Sequence, residues 1–396
     1  MNDRNARLVT AEAVRRGHPD KFCDQIADAI LDAHLSYDPD ARVAVEVMAT
    51  AGSITIAGEV TSRGEVDYGK IVDGVIRQVG YRRADLCEED TDSLDIYVNI
   101  HDQSPDIAAA VDGRYPDSDQ GAGDQGIMVG YATDETNAKM PKAFIIAQRI
   151  CRLLDEEAAH TPWLGADGKA QVSLKYEDDR VYVHTIVVSV QHAPNAPEDK
   201  LCDLVTQVVY QAVGRADMWE STSKLLVNPS GRFVLGGPAA DTGLTGRKLA
   251  VDQYGPVAHI GGGALSGKDA SKVDRSGAYA ARWIARNLVA AKLCSQCEVS
   301  IVYAIGVCHP VGITVNTFGT GMKPDDELAK LVWRVFDLRP SAIIKRLKLN
   351  TPSYSLVSVY GHFGRTDLNL PWEQDDMADK LRELAQYDYK EGGQLR

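Results

Sequence analysis

VAVEVMATAGSITIAGEV, running from Val43 to Val60, sets the architecture. Val43, Val45 and Val47 alternate, and Ile54, Ile56 and Val60 repeat the pattern beyond the Gly52-Ser53 turn. A period of two on both sides of a turn predicts an antiparallel hairpin with one buried face. A helical segment follows over about Val66 to Val79, with Ile71, Val75, Ile76 and Val79 on one side. An amphipathic helix over Pro19 to Leu35 precedes the hairpin, its Phe22, Ile26 and Ile30 on one face and Asp24, Asp28 and Asp32 pointing away.

The same order recurs twice. Val172, Leu174 and Tyr176 alternate, residues 177–180 turn, and Val181 to Val190 runs back, with helices over Lys142 to Glu157 before and Glu198 to Val213 after. Val299, Ile301 and Tyr303 alternate, His309 to Gly312 turn, and Ile313, Val315 and Thr317 return, flanked by helices over Ser276 to Leu293 and from Pro324 onward. The hairpins start near residues 43, 171 and 298, separations of 128 and 127. Antiparallel-rich sheets with helices on one face make an α+β fold rather than a doubly wound parallel one. The expected organisation is three similar domains in a pseudo-threefold repeat: 1–105, 119–233 and 234–396.

Composition narrows the function. Apolar residues are 44% and charged residues 25%, the profile of a globular protein. Forty-three Lys and Arg against 56 Asp and Glu leave a net charge of −13, which repels a nucleic-acid backbone or an anionic lipid surface. No apolar run reaches the ~20 residues of a membrane span, and the first twenty residues lack the apolar core of a signal peptide. Seven scattered cysteines, with one unpartnered CxxC at Cys294 and Cys297, are expected to be reduced thiols in a cytoplasmic protein.

Beyond one further alternating strand, Leu94 to Ile100, periodicity fails from His101 to Gln125. A long stretch rich in Asp, Gly, Ser and Pro reads as a lid or a linker. Four segments then carry possible chemistry. GHPDK, Gly17 to Lys21, puts His18, Asp20 and Lys21 at a helix N-terminus, where free N–H groups and the dipole favour an anion; equally, Asp20 is a favourable first-turn acid and Lys21 a solvated charge. QGAGDQG, Gln120 to Gly126, is a tight loop exposing Asp124 or a close approach to a ligand. NPSGRFVLGGPAADTGLTGRK, Asn228 to Lys248, is glycine-rich and ends in two cations; its isolated acid, Asp241, suits a metal, an amine or a sugar hydroxyl.

GGGALSGKDASKVDRS, Gly261 to Ser276, nearly contains a P-loop, but Asp269 follows Lys268 where the hydroxyl of Ser or Thr belongs. From Arg247 to Arg275 stand five cations (Arg247, Lys248, Lys268, Lys272, Arg275) against three anions (Asp252, Asp269, Asp274). A polyphosphate held by Lys, Arg and Mg²⁺ uses all these parts, with Asp20 and Asp274 as hard oxygen ligands. No nucleophile–base motif is present, so the reacting atoms belong to the substrates.

In this order GHPDK, QSPDI (Gln103 to Ile107), GAGDQG, NPSGRFVLGGP, GLTGRK and GGGALSGKDASKVDRS resemble the S-adenosylmethionine synthetase (methionine adenosyltransferase) family. The resemblance extends from about Leu8 to GHFGR and PWE near the C-terminus. It implies three similar α+β domains, and attack by methionine sulfur on C5′ of ATP, followed by cleavage of the triphosphate to phosphate and pyrophosphate. It also implies Mg²⁺, two per site, and K⁺.

Carried onto matching positions, the resemblance gives His18, Lys169, Arg247 and Lys268 catalytic roles at the triphosphate. Asp167, Gly168, Arg232, Phe233, Asp241, Lys248 and Ala264 line ATP with them, Phe233 stacking on adenine and Ile305 helping to enclose it. Glu59, Gln103, Asp124, Asp241 and Lys272 serve methionine. Asp20 and Asp274 hold Mg²⁺, and Glu46 is associated with K⁺. Residues 103–119 are the mobile loop over the site. Sites lie between subunits, so a homo-oligomer is implied, a dimer of dimers. Departures from the family pattern are Arg15-Arg16 before GHPDK, where an acid is common, Asp102 before QSPDI, Gly165 where Arg is common, and Thr242 where Cys is frequent. A Mg·ATP-dependent kinase or ligase and a nucleotide-binding regulatory protein are the competing readings.

Overall fold

Strand β1 (Arg7–Val14) leads into α1 (Pro19–Tyr37) in the computed structural model, which describes residues 6–87, 93–103, 120–178, 180–351 and 353–391. Proline fits the first helical turn because its missing N–H would have no partner there. The hairpin β2 (Arg42–Thr50) and β3 (Ser53–Thr61) pairs in register from Arg42–Thr61 to Thr50–Ser53. Then α2 (Tyr68–Val79) starts on an Asp67 cap and stops at Gly80, whose φ of 96° ends the helix. β4 (Asp95–His101) returns parallel to β3.

The second unit repeats this order with β5 (Gly126–Thr133), α3 (Lys142–Ala158), β6 (Leu164–Glu177), β7 (Arg180–His192), α4 (Glu198–Val213) and a parallel return strand, β8 (Lys224–Val227). The third has β9 (Gly243–Leu244), a short turn α5 (Leu249–Asp252), α6 (Val273–Ala290), β10 (Gln296–Tyr303), β11 (Gly312–Asn316) and α7 (Asp325–Val335). Here α8 (Pro340–Leu347) stands where the other units return a strand, and α9 (Ala378–Glu391) ends the described chain.

The helix–hairpin–helix order predicted from spacing therefore holds three times, in an α+β fold. Sheets are not closed within units, however. β1 pairs antiparallel with β6, β5 with β10, and β9 with β2. Each unit donates its first strand to another unit's sheet, giving the orders β4-β3-β2-β9, β1-β6-β7-β8 and β11-β10-β5. Alternation could not show this exchange, because period fixes a strand's buried face and not its partner.

On α1, Phe22, Ile26 and Ile30 are wholly buried against the first sheet, each contributing roughly 1.5–3 kcal/mol. The opposite row corrects the sequence reading. Asp24 and Asp28 are also wholly buried and Asp32 is mostly so, because loops of the third unit cover that face. Helix α6 begins at Val273, a turn before the expected Ser276, so Asp274 and Arg275 lie in its first turn. Most of the expected lid, 104–119, lies outside the described residues. Among the described residues no helix is long and apolar enough to cross a membrane.

Candidate active site

The start of α1 organises the site. His18 caps the helix: its Nδ1 accepts from the Asp20 backbone N–H at 3.3 Å, which leaves the ring proton on Nε2. Burial, then the cations Lys248 and Lys169, push this imidazole down to about 3, against the opposing pull of Asp20. The ring is neutral at physiological pH and presents an N–H donor.

Asp20 is also buried. Its Oδ1 accepts from Leu244 N–H at 3.0 Å, Lys248 Nζ donates to Oδ2, and Arg247 Nε lies 3.7 Å away. Burial disfavours its charge, but Lys248 and the Leu244 N–H outweigh it and hold the carboxyl below its usual range. One helix turn on, Asp24 accepts from Gly246 N–H at 2.9 Å. Asp28 accepts from Gly267 N–H at 2.9 Å and pairs with Arg275 through both oxygens. Asp32 accepts from Ser353, Tyr354 and Ser355. The i, i+4 spacing makes this row a ladder of carboxylates that fixes the glycine-rich loops onto α1.

Two sequence expectations change as a result. Lys21 is not a solvated charge; it is fully buried between Asp24 and Asp252, whose carboxylates hold its ammonium well above the ordinary lysine range despite burial. Arg275 is spent on Asp28 inside the protein, and Lys272 donates to Asp269. Of the five cations from Arg247 to Arg275, Arg247, Lys248, Lys268 and Lys272 keep part of their surface exposed, the three lysines paired with Asp20, Asp274 and Asp269 in turn.

The near-P-loop is no P-loop. Among the described residues no strand runs into it, and Lys268 instead bridges Ala44 at the edge of β2. Gly267, at φ 79°, is obligatory: a Cβ there would sit 2.1 Å from the Val45 carbonyl oxygen. Lys268 Nζ donates to Asp274 at 2.6 Å. A Cβ on Gly263 would fall 2.2 Å from the Asp274 carboxylate, so bare backbone wraps that carboxylate. On the open face of the hairpin, Glu46 and Glu59 are diagonal neighbours (Glu46 faces Ala57). Burial raises the Glu46 pKa, Lys268 opposes, and Asp24 and Glu59 add to the rise. His101 Nε2 lies 3.7 Å from Glu59, and Gln103 N–H donates to Thr61 Oγ1 at 3.5 Å.

The predicted residues thus gather at two places along the edge of β2. Around Leu244, opposite Met48, are His18, Asp20, Arg247 and Lys248, with Lys169 acting on His18. Around Ala44 are Lys268, Asp274, Glu46 and Glu59; Gly123, beside Asp124, packs on Ser271 next to Lys272. Ala44 and Met48 are four positions apart along β2, roughly 13 Å. Gly246 abuts Ala264 and joins the loops. Asp167 is buried and accepts from Gly168 and Gly237 N–H, linking the β6 turn to the segment of Arg232, Phe233 and exposed Asp241. Phe233 N–H donates to His192 Nε2 at 3.1 Å. Ile305 is exposed and bridges Ala122. Thr242 Oγ1 pairs with Thr50 and its carbonyl accepts from Arg247 Nη1 at 3.3 Å, so this departure touches a predicted site residue through its backbone, whereas Asp102 carries the carbonyl facing His101 Nδ1.

Among the described residues no three His, Cys, Asp or Glu side chains converge as a metal cluster. Separate carboxylates beside lysines, each wrapped by backbone, fit Mg²⁺ that draws its other oxygens from phosphate and water. The Cys23 thiol, one turn from Asp20, is pushed well up by burial, the wrong direction for a nucleophile. Sequence reasoning missed Arg15, Asp24, Asp28, Asp32 and Gln191; only the aspartate spacing offered a signal.

Family models of the S-adenosylmethionine synthetase N-terminal, central and C-terminal domains match residues 6–105, 119–233 and 235–374. The S-adenosylmethionine synthase of Desulforudis audaxviator (strain MP104C) is 51% identical over 387 residues, 95% of this chain and 98% of that protein. That of Clostridium tetani (strain Massachusetts / E88) is 46% identical over 389 residues, 96% and 99% of the two.

Proposed function

The chain belongs to the S-adenosylmethionine synthetase family, and from that premise we propose how its cradle makes the sulfonium from ATP and L-methionine. Membership makes it an ATP-dependent transferase of the methionine adenosyltransferase class. The observation that carries the mechanism is the neutral His18 donor set among Lys248, Arg247 and Asp20 at the start of α1.

Methionine sulfur forms a bond to C5′ of ATP while the C5′–O5′ bond breaks, and its electron pair leaves with the triphosphate. The thioether carries no proton, so attack asks for orientation and no base. The demand lies on the leaving group, which gains charge. Lys248, Arg247, Lys268 and Lys169 supply fixed positive charge to it, and His18 Nε2–H supplies a hydrogen bond. Such a preorganised donor is worth about 10²–10³ in rate. With an imidazole so reluctant to hold a second proton, His18 acts as a hydrogen-bond donor and keeps its proton. Asp20 and Asp274 would hold Mg²⁺, which neutralises phosphate charge when bound; Glu46 would hold K⁺. Phe233, Arg232, Asp167, Gly168, Ala264 and Ile305 would enclose the nucleoside, and Glu59, Gln103, Asp124, Asp241 and Lys272 the methionine. Water then cleaves the triphosphate to phosphate and pyrophosphate.

The separation of the two clusters supports sites completed across a two-fold axis, where one chain's Leu244 end meets its partner's Ala44 end. A dimer, or a dimer of dimers, is the assembly we propose, and the cytoplasm its location. Product analysis with ATP, methionine, Mg²⁺ and K⁺ tests the reading: one sulfonium, one phosphate and one pyrophosphate per ATP are expected. ADP would indicate a kinase, AMP with pyrophosphate alone a ligase, and binding without turnover a regulatory protein.

A further inference from the structure

We propose that Arg15, one of the positions at which this chain departs from the family pattern, is a positioning residue for the nucleotide, an inference that rests on the ATP site proposed above. Arg15 is wholly buried where β1 hands over to α1. Its backbone N–H donates to the Gly168 carbonyl at 2.9 Å, and its own carbonyl accepts from His18 N–H at 3.1 Å. Its guanidinium reaches the same irregular start of β6: Nη1 donates to the carbonyls of Gly165 at 2.6 Å and Asp167 at 3.2 Å. Nη2 donates to the Leu154 carbonyl at 3.2 Å, and Nε pairs with Asp155 at 2.8 Å. One side chain and its own peptide units therefore bracket residues 165–168 and the His18 cap together.

Gly165, a second departure, completes the bracket by having no side chain. A Cβ there would lie 2.6 Å from Gln191, and one on Gly236 would lie 2.7 Å from it. Nested between the two glycines, Gln191 accepts from Asp167 N–H at 3.1 Å and donates to the Val234 carbonyl at 3.1 Å. It thereby ties the turn of Asp167 and Lys169 to the neighbour of Phe233. A buried guanidinium whose hydrogen bonds tie the irregular start of β6, at Gly165 and Asp167, to the last turns of α3, at Leu154 and Asp155, fixes backbone geometry and touches no substrate; five donors in a rigid fork suit that task, and the single ammonium of lysine does not. Among the described residues the methionine residues Glu59 and Gln103 lie on the first sheet, away from this bracket, and Asp241 reaches it only through the Gly237 backbone, so ATP should feel its loss more than methionine.

The test is ATP affinity by calorimetry, with steady-state KM for ATP and for methionine, on the full-length protein and on Arg15→Ala. Expected is a weakening of ATP by about ten- to a hundredfold, the scale on which a displacement of about 1 Å acts, with the methionine KM within twofold. Added guanidinium chloride at low, non-denaturing concentration should restore ATP binding, and sodium chloride of equal ionic strength should not. A folded Arg15→Ala variant of lower thermal stability but unchanged ATP affinity would overturn the proposal. Should Arg15→Ala not fold, Arg15→Lys and Gln191→Met carry the same comparison, and unchanged ATP affinity in both overturns it. If the wild type binds ATP yet forms no sulfonium, the proposed reaction fails while the affinity comparison still decides Arg15.

Discussion

Asp28→Asn isolates one rung of the carboxylate ladder. In the native protein Asp28 and Arg275 are wholly buried and joined by bonds of 2.7 and 3.0 Å, and Asp28 also accepts from Gly267 N–H. The Arg275 guanidinium lies 3.9 Å over the Tyr354 ring. The substitution keeps shape and one acceptor oxygen but removes the charge, leaving an uncompensated guanidinium inside the protein. Breaking one side of such a pair costs about 3–5 kcal/mol, a large share of a typical total stability of about 5–15 kcal/mol. Arg275→Met added to Asp28→Asn removes the stranded charge and keeps an apolar stem against Tyr354. Neutral replacement of both partners is often harmless, so the double variant should recover most of the loss. Urea denaturation of wild type, both single variants and the double variant gives the four corners of the cycle. A single variant within about 1 kcal/mol of wild type, or a double variant no better than the single, would refute the view that this buried pair anchors the Lys268 loop.

Two further outcomes follow from the same geometry. Because burial, Lys248 and Lys169 push His18 down to about 3 from an ordinary 6.5, histidine NMR should show no His18 titration between about pH 5 and 9. The sign of the linked stability is fixed: the folded ring binds fewer protons than the unfolded one, so this contribution is full above 6.5 and is lost as pH falls toward 3; a midpoint near neutrality would place the ring in water. Lys268→Ala should lower kcat by about 10²–10³ while leaving the urea midpoint within a few tenths molar of wild type, since its pair with Asp274 is partly exposed; unchanged turnover would remove Lys268 from the mechanism.

What the sequence made legible was local. Alternation at Val43–Val60 and its two echoes was enough for the hairpins, and apolar spacing was enough for the helices flanking them, because both depend on which face is buried. Partnership was not legible. Asp24, Asp28 and Asp32 sit opposite the apolar stripe of α1, where charged residues normally meet water, and only the fold brings Gly246, Gly267 and Ser353 onto them. Lys21 and Arg275 misled for the same reason: a charge count over a segment cannot tell a cation facing a ligand from one neutralised inside. The motifs of His18, Arg247, Lys248 and Lys268 were visible as glycine and charge, yet their division into two clusters along β2 depends on pairings far apart in the chain, Met48 with Leu244 and Ala44 with Lys268.

The strand exchange explains why the candidate residues stand where they do. The chain crosses between sheets at three kinds of junction: residues 15–18 pass from β1, in the second sheet, to α1 on the first; residues 120–125 lead into β5, in the third; residues 245–272 pass from β9, in the first, to α6 on the third. His18, Asp124, Arg247, Lys248 and Lys268 all lie in these junctions. The first and last of these junctions, clamped at both ends by different sheets, cannot relax by moving with either one, which is the rigidity that charge-stabilising groups need if they are not to reorganise during reaction. The row of aspartates on α1 and the Arg15 bracket then remove the freedom that remains within each crossing. On this argument the threefold repeat matters less as a way to build three cores than as a way to create junctions, and two glycines of the last junction follow from its close packing: a side chain on Gly267 would meet the β2 backbone at Val45, and one on Gly263 the Asp274 carboxylate.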